Sequence, residues 1–155
     1  MVAFSCVAHN AIFSLFETRA LTDYREYELH RNSSLVGTCE FPSHLTPNFS
    51  VGSDGSFAVY GSSSAFFYQK FQNLRRIDEN QEIGAIWFLS DKVIIKTEST
   101  IVERSLDQLA WIKEYSHGEI IISAMLKSDN KLILKDLDGY GFELNIRDFS
   151  IEKLD

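Results

Sequence analysis

The sequence predicts an all-β fold of about four antiparallel units, each made of four short strands. Three observations lead there. A block opening on Ser-Asp occurs three times, as SDGSFAVYGSSSAFFYQKFQNLRRI (53–77), SDKVIIKTESTIVERSLDQLAWI (90–112) and SDNKLILKDLDGYGFELNIRDFSIEKL (128–154). The aspartates are Asp54, Asp91 and Asp129, so the period is 37 and then 38 residues. Inside each block a turn is followed by four or five β-formers (FAVY, VIIK, KLILK), a polar turn, and a second alternating run. Short apolar runs bounded by turn residues are the pattern of strands.

Taken in order, each unit begins ahead of its Ser-Asp with one more apolar run: NFSVG, GAIWFL and EIIISAML. Each block closes on an apolar pair three apart, Leu74 and Ile77, Leu109 and Ile112, Ile151 and Leu154. A fourth, diverged repeat opens the chain. There CVAHN supplies the first strand and turn, IFSLFE the second strand, TDYREYELH the third and SSLVGTCEF the last. Asn10 precedes Asp54 by 44 residues, so this repeat carries an insertion, assigned to PSHLTPN with both prolines, Pro42 and Pro47. The chain reads as a single domain, 1–155, with units at about 1–48, 49–82, 83–118 and 119–155.

Two segments compete for helix. SLDQLAWIKEY (105–115) has Ser105 and Gln108 at capping-box spacing, and LTDYREYELH (21–30) fits a helical period. The repeat argues for strand at both, since the aligned QNLRRI and FSIEKL lack the cap. One or two short helices are the alternative.

A four-strand repeat near 40 residues is the sequence form of a propeller blade. The blocks resemble β-propeller repeats in general and lack the Gly-His and Trp-Asp marks of the WD type. The resemblance implies a half-propeller or a curved β-sandwich, whose open edges would need a cap, a partner or a second copy of the chain.

Composition narrows the function. With 45% hydrophobic residues the 155-residue chain has ample material for a core. The 22 acidic and 15 basic residues give a net charge of -7. That excess disfavours nucleic acid and anionic membrane as partners, because both draw their affinity from Lys and Arg against phosphate, and it attracts a basic protein. Cys6 and Cys39 stand 33 apart without zinc-site spacing, and MVAFSCVAHN has no basic stretch followed by a long apolar one. Reduced thiols and a cytoplasmic address are expected.

No residue cluster forms a catalytic signature. His9, His30, His44 and His117 lack metal-ligand spacing; His9 and His117 fit as turn residues. DLDGYGFE (136–143) brings Asp136, Asp138 and Glu143 around two glycines, but an EF-hand frame would put Leu134 first and Asn145 twelfth, where acids are required. Asp138-Gly139 reads as a hairpin turn. Gly52-Ser53-Asp54-Gly55 is a turn, and Gly61-Ser62-Ser63-Ser64 lacks the Lys of a phosphate loop. No metal, cofactor or enzymatic activity is expected.

What stands out is charge and aromatic surface. DENQE, with Asp78, Glu79 and Glu82, lies between two repeats, and Asp107, Glu114 and Glu119 fall near the next junction. The run Phe66-Phe67-Tyr68-Gln69-Lys70-Phe71 has too many rings for one strand face. The expected partner-binding residues are therefore Asp78, Glu79, Glu82, Asp107, Glu114, Asp136 and Asp138, with Phe67 and Tyr68 as anchors. By general type the chain is also similar to small acidic bacterial toxin-immunity proteins. That similarity implies a non-catalytic inhibitor that occludes the active site of a basic, nuclease-like toxin. The alternatives are a scaffold that oligomerises, for example as a homodimer through sheet edges, and a carbohydrate-binding or hydrolytic propeller.

Overall fold

The computed structural model describes residues 2–8, 10–69 and 72–155. Sixteen strands are assigned, and no helix occurs among the described residues. They form four sheets of four, each antiparallel with its strands in sequence order. Sheet 1 holds β1 (Val2–Ala8), β2 (Ala11–Ala20), β3 (Tyr24–Arg31) and β4 (Ser34–Pro42); sheet 2 holds β5 (Asn48–Val51), β6 (Phe57–Gly61), β7 (Ser64–Tyr68) and β8 (Arg75–Asp78). Sheet 3 holds β9 (Ala85–Leu89), β10 (Lys92–Lys96), β11 (Thr100–Ser105) and β12 (Trp111–Ser116); sheet 4 holds β13 (Ile121–Ser128), β14 (Lys131–Asp136), β15 (Gly141–Asn145) and β16 (Ile151–Lys153).

The three Ser-Asp marks all fall in the turn between the first and second strands of a sheet. Leu89 pairs with Lys92 across Ser90-Asp91, and Ser128 with Lys131 across Asp129-Asn130. Around Asp54 the turn is longer. Gly52 N–H donates to Ser56 O at 2.7 Å, and the Asp54 carboxylate accepts from the Ser56 backbone N–H and hydroxyl, both at 2.9 Å. An aspartate that accepts from the residue two positions on fixes a turn without any ligand.

The two helical readings give way to strand and turn. Residues 24–31 lie in β3, and Ser105 closes β11. The Ser105 hydroxyl accepts from Ala110 N–H at 3.1 Å, and Leu109 takes φ +56°, a left-handed value that no α-helix interior accommodates. The β15–β16 turn repeats this geometry. Leu109 N–H donates to Ser105 O and Phe149 N–H, at φ +57°, to Asn145 O. Leu109 thus corresponds to Phe149 and Trp111 to Ile151, two residues away from the pairing suggested by the closing apolar residues.

The chain divides into two compact units, Met1–Ile83 and Gly84–Asp155. The first packs sheet 1 on sheet 2 through aromatic rings. Phe13 stacks on Phe57 at 4.1 Å with the planes 3° apart, both fully buried, and Phe41 meets Phe66 edge-on at 5.4 Å. The second packs sheet 3 on sheet 4 through aliphatic chains: Ile94 and Ile101 against Ile121, Leu132, Leu134 and Leu144. Ala58, Tyr60, Ala65 and Phe67 in sheet 2, and Val93, Ile95 and Val102 in sheet 3, are buried as well, so these middle strands are covered on both faces. Cys39 is buried and Cys6 half-buried, both unbridged, and burial pushes the Cys39 thiol up to about 12.

Candidate partner-binding surfaces

The most constrained surface of the second unit is the β14–β15 turn, built on Asp136. Asp136 N–H donates to Tyr140 O at 3.0 Å, Gly139 N–H to Asp136 O at 3.0 Å, and Tyr140 N–H to Asp136 Oδ1 at 2.9 Å. Gly139 holds φ +88°, which lets the turn close. The other carboxylate oxygen lies 3.2 Å from His117 Nε2, in the β12–β13 connection. A carboxylate only accepts, so Nε2 donates, and Nδ1 lies 2.7 Å from the Tyr115 hydroxyl, from which a neutral ring accepts. Burial works to raise the Asp136 pKa, but the bonds from His117 and the Tyr140 backbone outweigh it and hold the carboxyl below its ordinary range.

This pinning has a consequence at the surface. Leu137 N–H donates to Ile120 O at 2.8 Å, which sets the turn beside the β12–β13 connection. Around the contact Ile120, Ile122, Leu137 and Tyr140 are each about half exposed. Asp138 and Glu98 are exposed and Glu119 half-buried; the Glu119 carboxylate accepts from Ile120 N–H at 2.9 Å, and Glu98 O from Ile121 N–H at 2.7 Å. Lys153 Nζ sits 3.6 Å from the Tyr140 ring centre. The result is an apolar patch held by a rigid turn and rimmed chiefly by acids.

The first unit carries an acidic cleft centred on Arg76. Its guanidinium reaches Glu40 at 3.2 Å and Asp78 at 3.1 Å, and lies 5.6 Å from the Phe66 ring centre. A hydrogen bond from Ser64 at 2.6 Å, then Arg76 itself, holds the Asp78 carboxyl below its usual range. Glu40 and Arg76 line two hollows, of about 370 and 440 Å³; Glu26 and Thr38 wall one, Asp23 and Tyr24 the other.

The sequence-derived residues are distributed unevenly. Asp78, Glu82, Asp107, Glu114 and Asp138 are exposed and Glu79 is half-buried. Two positions need correction. Phe67 is fully buried and Asp136 only 4% exposed, so neither offers surface to a partner; Asp136 is the turn's internal brace. Tyr68 is half-buried, edge-on to Phe13 at 5.3 Å with Arg31 over its ring at 5.9 Å. Phe71, the last ring of that run, and His9 lie outside the described residues. Asp107 sits in the β11–β12 turn, at the far end of β12 from the His117 connection, so it does not join the Asp138 rim. Ile120, Leu137, Tyr140 and Glu40 were not singled out from sequence. The one available signal was Leu137, an apolar residue between two aspartates in a turn. Among the described residues no three His, Cys, Asp or Glu side chains gather as a metal site.

No family model matches the chain, and no curated protein matches it in sequence. Solved structures are similar in fold. The WD40 β-propeller domain of Doa1 is 12% identical, covers 99% of this chain and 53% of its own, with a TM-score of 0.63. The Pan2 WD40 domain of Neurospora crassa is 11% identical over 99% of this chain and 49% of its own, at 0.61. A chain of the mitotic checkpoint complex is 13% identical over 97% of this chain and 50% of its own, at 0.63. The sheets are therefore of propeller type, and the chain spans about half the length of these proteins.

Proposed function

We propose that the protein acts by binding a basic protein partner, without catalysis, through the patch around the β14–β15 turn. The observation that supports this reading is the combination of Leu137 and Tyr140, half exposed, on a turn fixed by hydrogen bonds to Asp136 and Ile120 and flanked by Asp138 and Glu119. Apolar side chains presented by a preorganised backbone lose little entropy on docking, and the acidic rim steers and selects a cationic partner. In the finer form of the proposal the partner is a cationic, nuclease-like toxin whose groove is blocked, and the meeting takes place in the cytoplasm.

The test is affinity capture from the native cells at low and high salt, with Leu137→Ser, Tyr140→Ser and Asp138→Lys as baits beside the parent chain. One basic protein should be held by the parent, be released as salt rises, and be lost with each variant. Capture indifferent to all three variants refutes the site, and an acidic or nucleic-acid partner refutes the class.

A further inference from the structure

The larger of the two hollows beside Arg76, of about 440 Å³, lies wholly within the first unit, between the β2–β3 turn, the end of β4 and the β6–β7 turn. The backbone fixes both of its sides. On one, Ser43 N–H donates to Asp23 O at 3.0 Å and the Ser43 hydroxyl to Thr22 O at 2.8 Å, which ties the β2–β3 turn to the chain leaving β4. On the other, Ile83 N–H donates to Ser62 O at 2.7 Å and Glu79 N–H to Ser63 O at 2.8 Å. A small molecule entering here meets walls that need no reordering.

The lining has hydrogen-bonding capacity to spare. The Asp23 carboxylate and the Ser62 and Ser63 hydroxyls make no side-chain hydrogen bond among the described residues. Arg76 donates to Asp78, Glu40 and Ser64 at 3.1, 3.2 and 3.3 Å, which leaves guanidinium donors over. At the mouth Tyr24 is 36% exposed, beside its ladder partner Pro42.

Charge decides what can enter. Asp23 and Glu40 repel an anion, while Arg76, already spanning Glu40 and Asp78, repels a cation. In the adjoining hollow Arg19 stands opposite Glu26 in the β2–β3 ladder, so neither sign prevails there. Arg25, next to Tyr24, turns to the other face and pairs with Glu17 at 3.3 Å. An uncharged ligand rich in hydroxyls uses both signs: it donates to the carboxylates and accepts from the guanidinium, in bonds roughly twice as strong as neutral ones. The C–H face of a sugar ring also suits the negative face of an aromatic ring.

We propose that this hollow binds a neutral saccharide, with one sugar ring stacked on Tyr24 and its hydroxyls shared among Asp23, Glu40, Ser63 and Arg76. The volume falls in the range of roughly 300–1,000 Å³ usual for small-ligand sites. The second hollow, of about 370 Å³, shares Glu40 and Arg76 and adds Glu26, Thr18 and Thr38, so it receives the next sugar unit. This inference does not depend on the basic-partner reading, which concerns the second unit.

A printed array of neutral, anionic and amino-bearing glycans tests the class, and titration calorimetry with the neutral oligosaccharide of strongest signal gives the affinity. Neutral glycans bind, and added salt leaves their affinity unchanged. Tyr24→Ala and Asp23→Ala each weaken binding at least tenfold, whereas Tyr24→Phe, which keeps the ring, retains most of it. Melting curves report the fold of each variant, and Ser63→Ala, which deletes one hydroxyl, weakens binding severalfold as a milder check. An array that is blank or confined to charged glycans overturns the proposal, as does binding that Tyr24→Ala and Asp23→Ala both leave unchanged.

Discussion

Replacing Gly139 with alanine isolates backbone strain from crowding. Gly139 holds φ +88°, and a Cβ built there meets nothing within 4 Å. An L-residue forced into the left-handed region costs roughly 1–2 kcal/mol. For a chain of this size each kcal/mol lowers the melting temperature by about 2–4 °C, so Gly139→Ala should melt about 2–8 °C below the parent. Gly118, in the β12–β13 connection, has equally open surroundings and no positive φ. There the added methyl only restricts the unfolded chain, and Gly118→Ala should gain about 0.4–1 kcal/mol. Two identical substitutions, one in each of two touching loops, thus move stability in opposite directions. Calorimetry, with urea unfolding followed by the fluorescence of Trp87 and Trp111 in the same unit, measures both. Equal shifts in the two variants, or an unchanged melting point for Gly139→Ala, would refute the account of the turn. Gly139→Ala should also weaken partner capture although it removes no side chain.

Other outcomes follow from the cores and the titrating groups. Phe57→Ala removes one ring of the Phe13 stack and should cost about 3–5 kcal/mol in urea unfolding, against a fraction of that for Phe57→Leu. Glu103 is buried at 5% exposure between Lys92 at 3.1 Å and Lys113 at 3.6 Å. Glu103→Ala, which removes the buried carboxylate that Lys92 and Lys113 share, should cost about 1–3 kcal/mol, and Glu103→Leu, which keeps the apolar volume, less, by chemical denaturation. Asp78, Asp136, Glu143 and Asp148 have carboxyls held below their ordinary values in the folded state. Their stabilising effect is present above about pH 5 and is lost as pH falls through the depressed folded values, so urea midpoints should drop towards pH 3, less steeply in Asp136→Asn. With the Cys39 thiol pushed up to about 12, only ~1 in 10⁴ is thiolate at pH 8, so Cys39 should resist thiol reagents until unfolding while Cys6 reacts first.

The repeat was legible because turn chemistry is local. Asp54, Asp91 and Asp129 mark the same turn in sheets 2, 3 and 4, and Asn10, at φ +65°, marks it in sheet 1. The helical reading of 105–115 failed because Ser105 and Gln108 satisfy a three-residue spacing that a tight turn also satisfies. What decides between them is the left-handed Leu109, and no residue type announces that. Phe67 was misplaced for a different reason. Alternation shows that adjacent rings face opposite ways, but not that both faces of β7 are covered. Asp136 looked like a loop acid because its partner His117 lies 19 residues earlier, and that pairing exists only once sheets 3 and 4 stack. The patch at Ile120, Leu137 and Tyr140 was obscured likewise, since it assembles from two loops that sequence treats as separate.

The meander order of every sheet bears on how such a chain folds and changes over time. Each ladder pairs only strands adjacent in sequence, so the loops that must close are short and their entropic cost is small. Pairing within a sheet can then precede stacking, and the rate should be fast for an all-β protein, where long-range pairing usually sets the pace. The same locality means that an in-frame duplication or loss of some 37 residues adds or removes a whole sheet without severing a single hydrogen-bonded ladder. Length can therefore change by whole repeats while the pairing inside each remaining sheet is left intact.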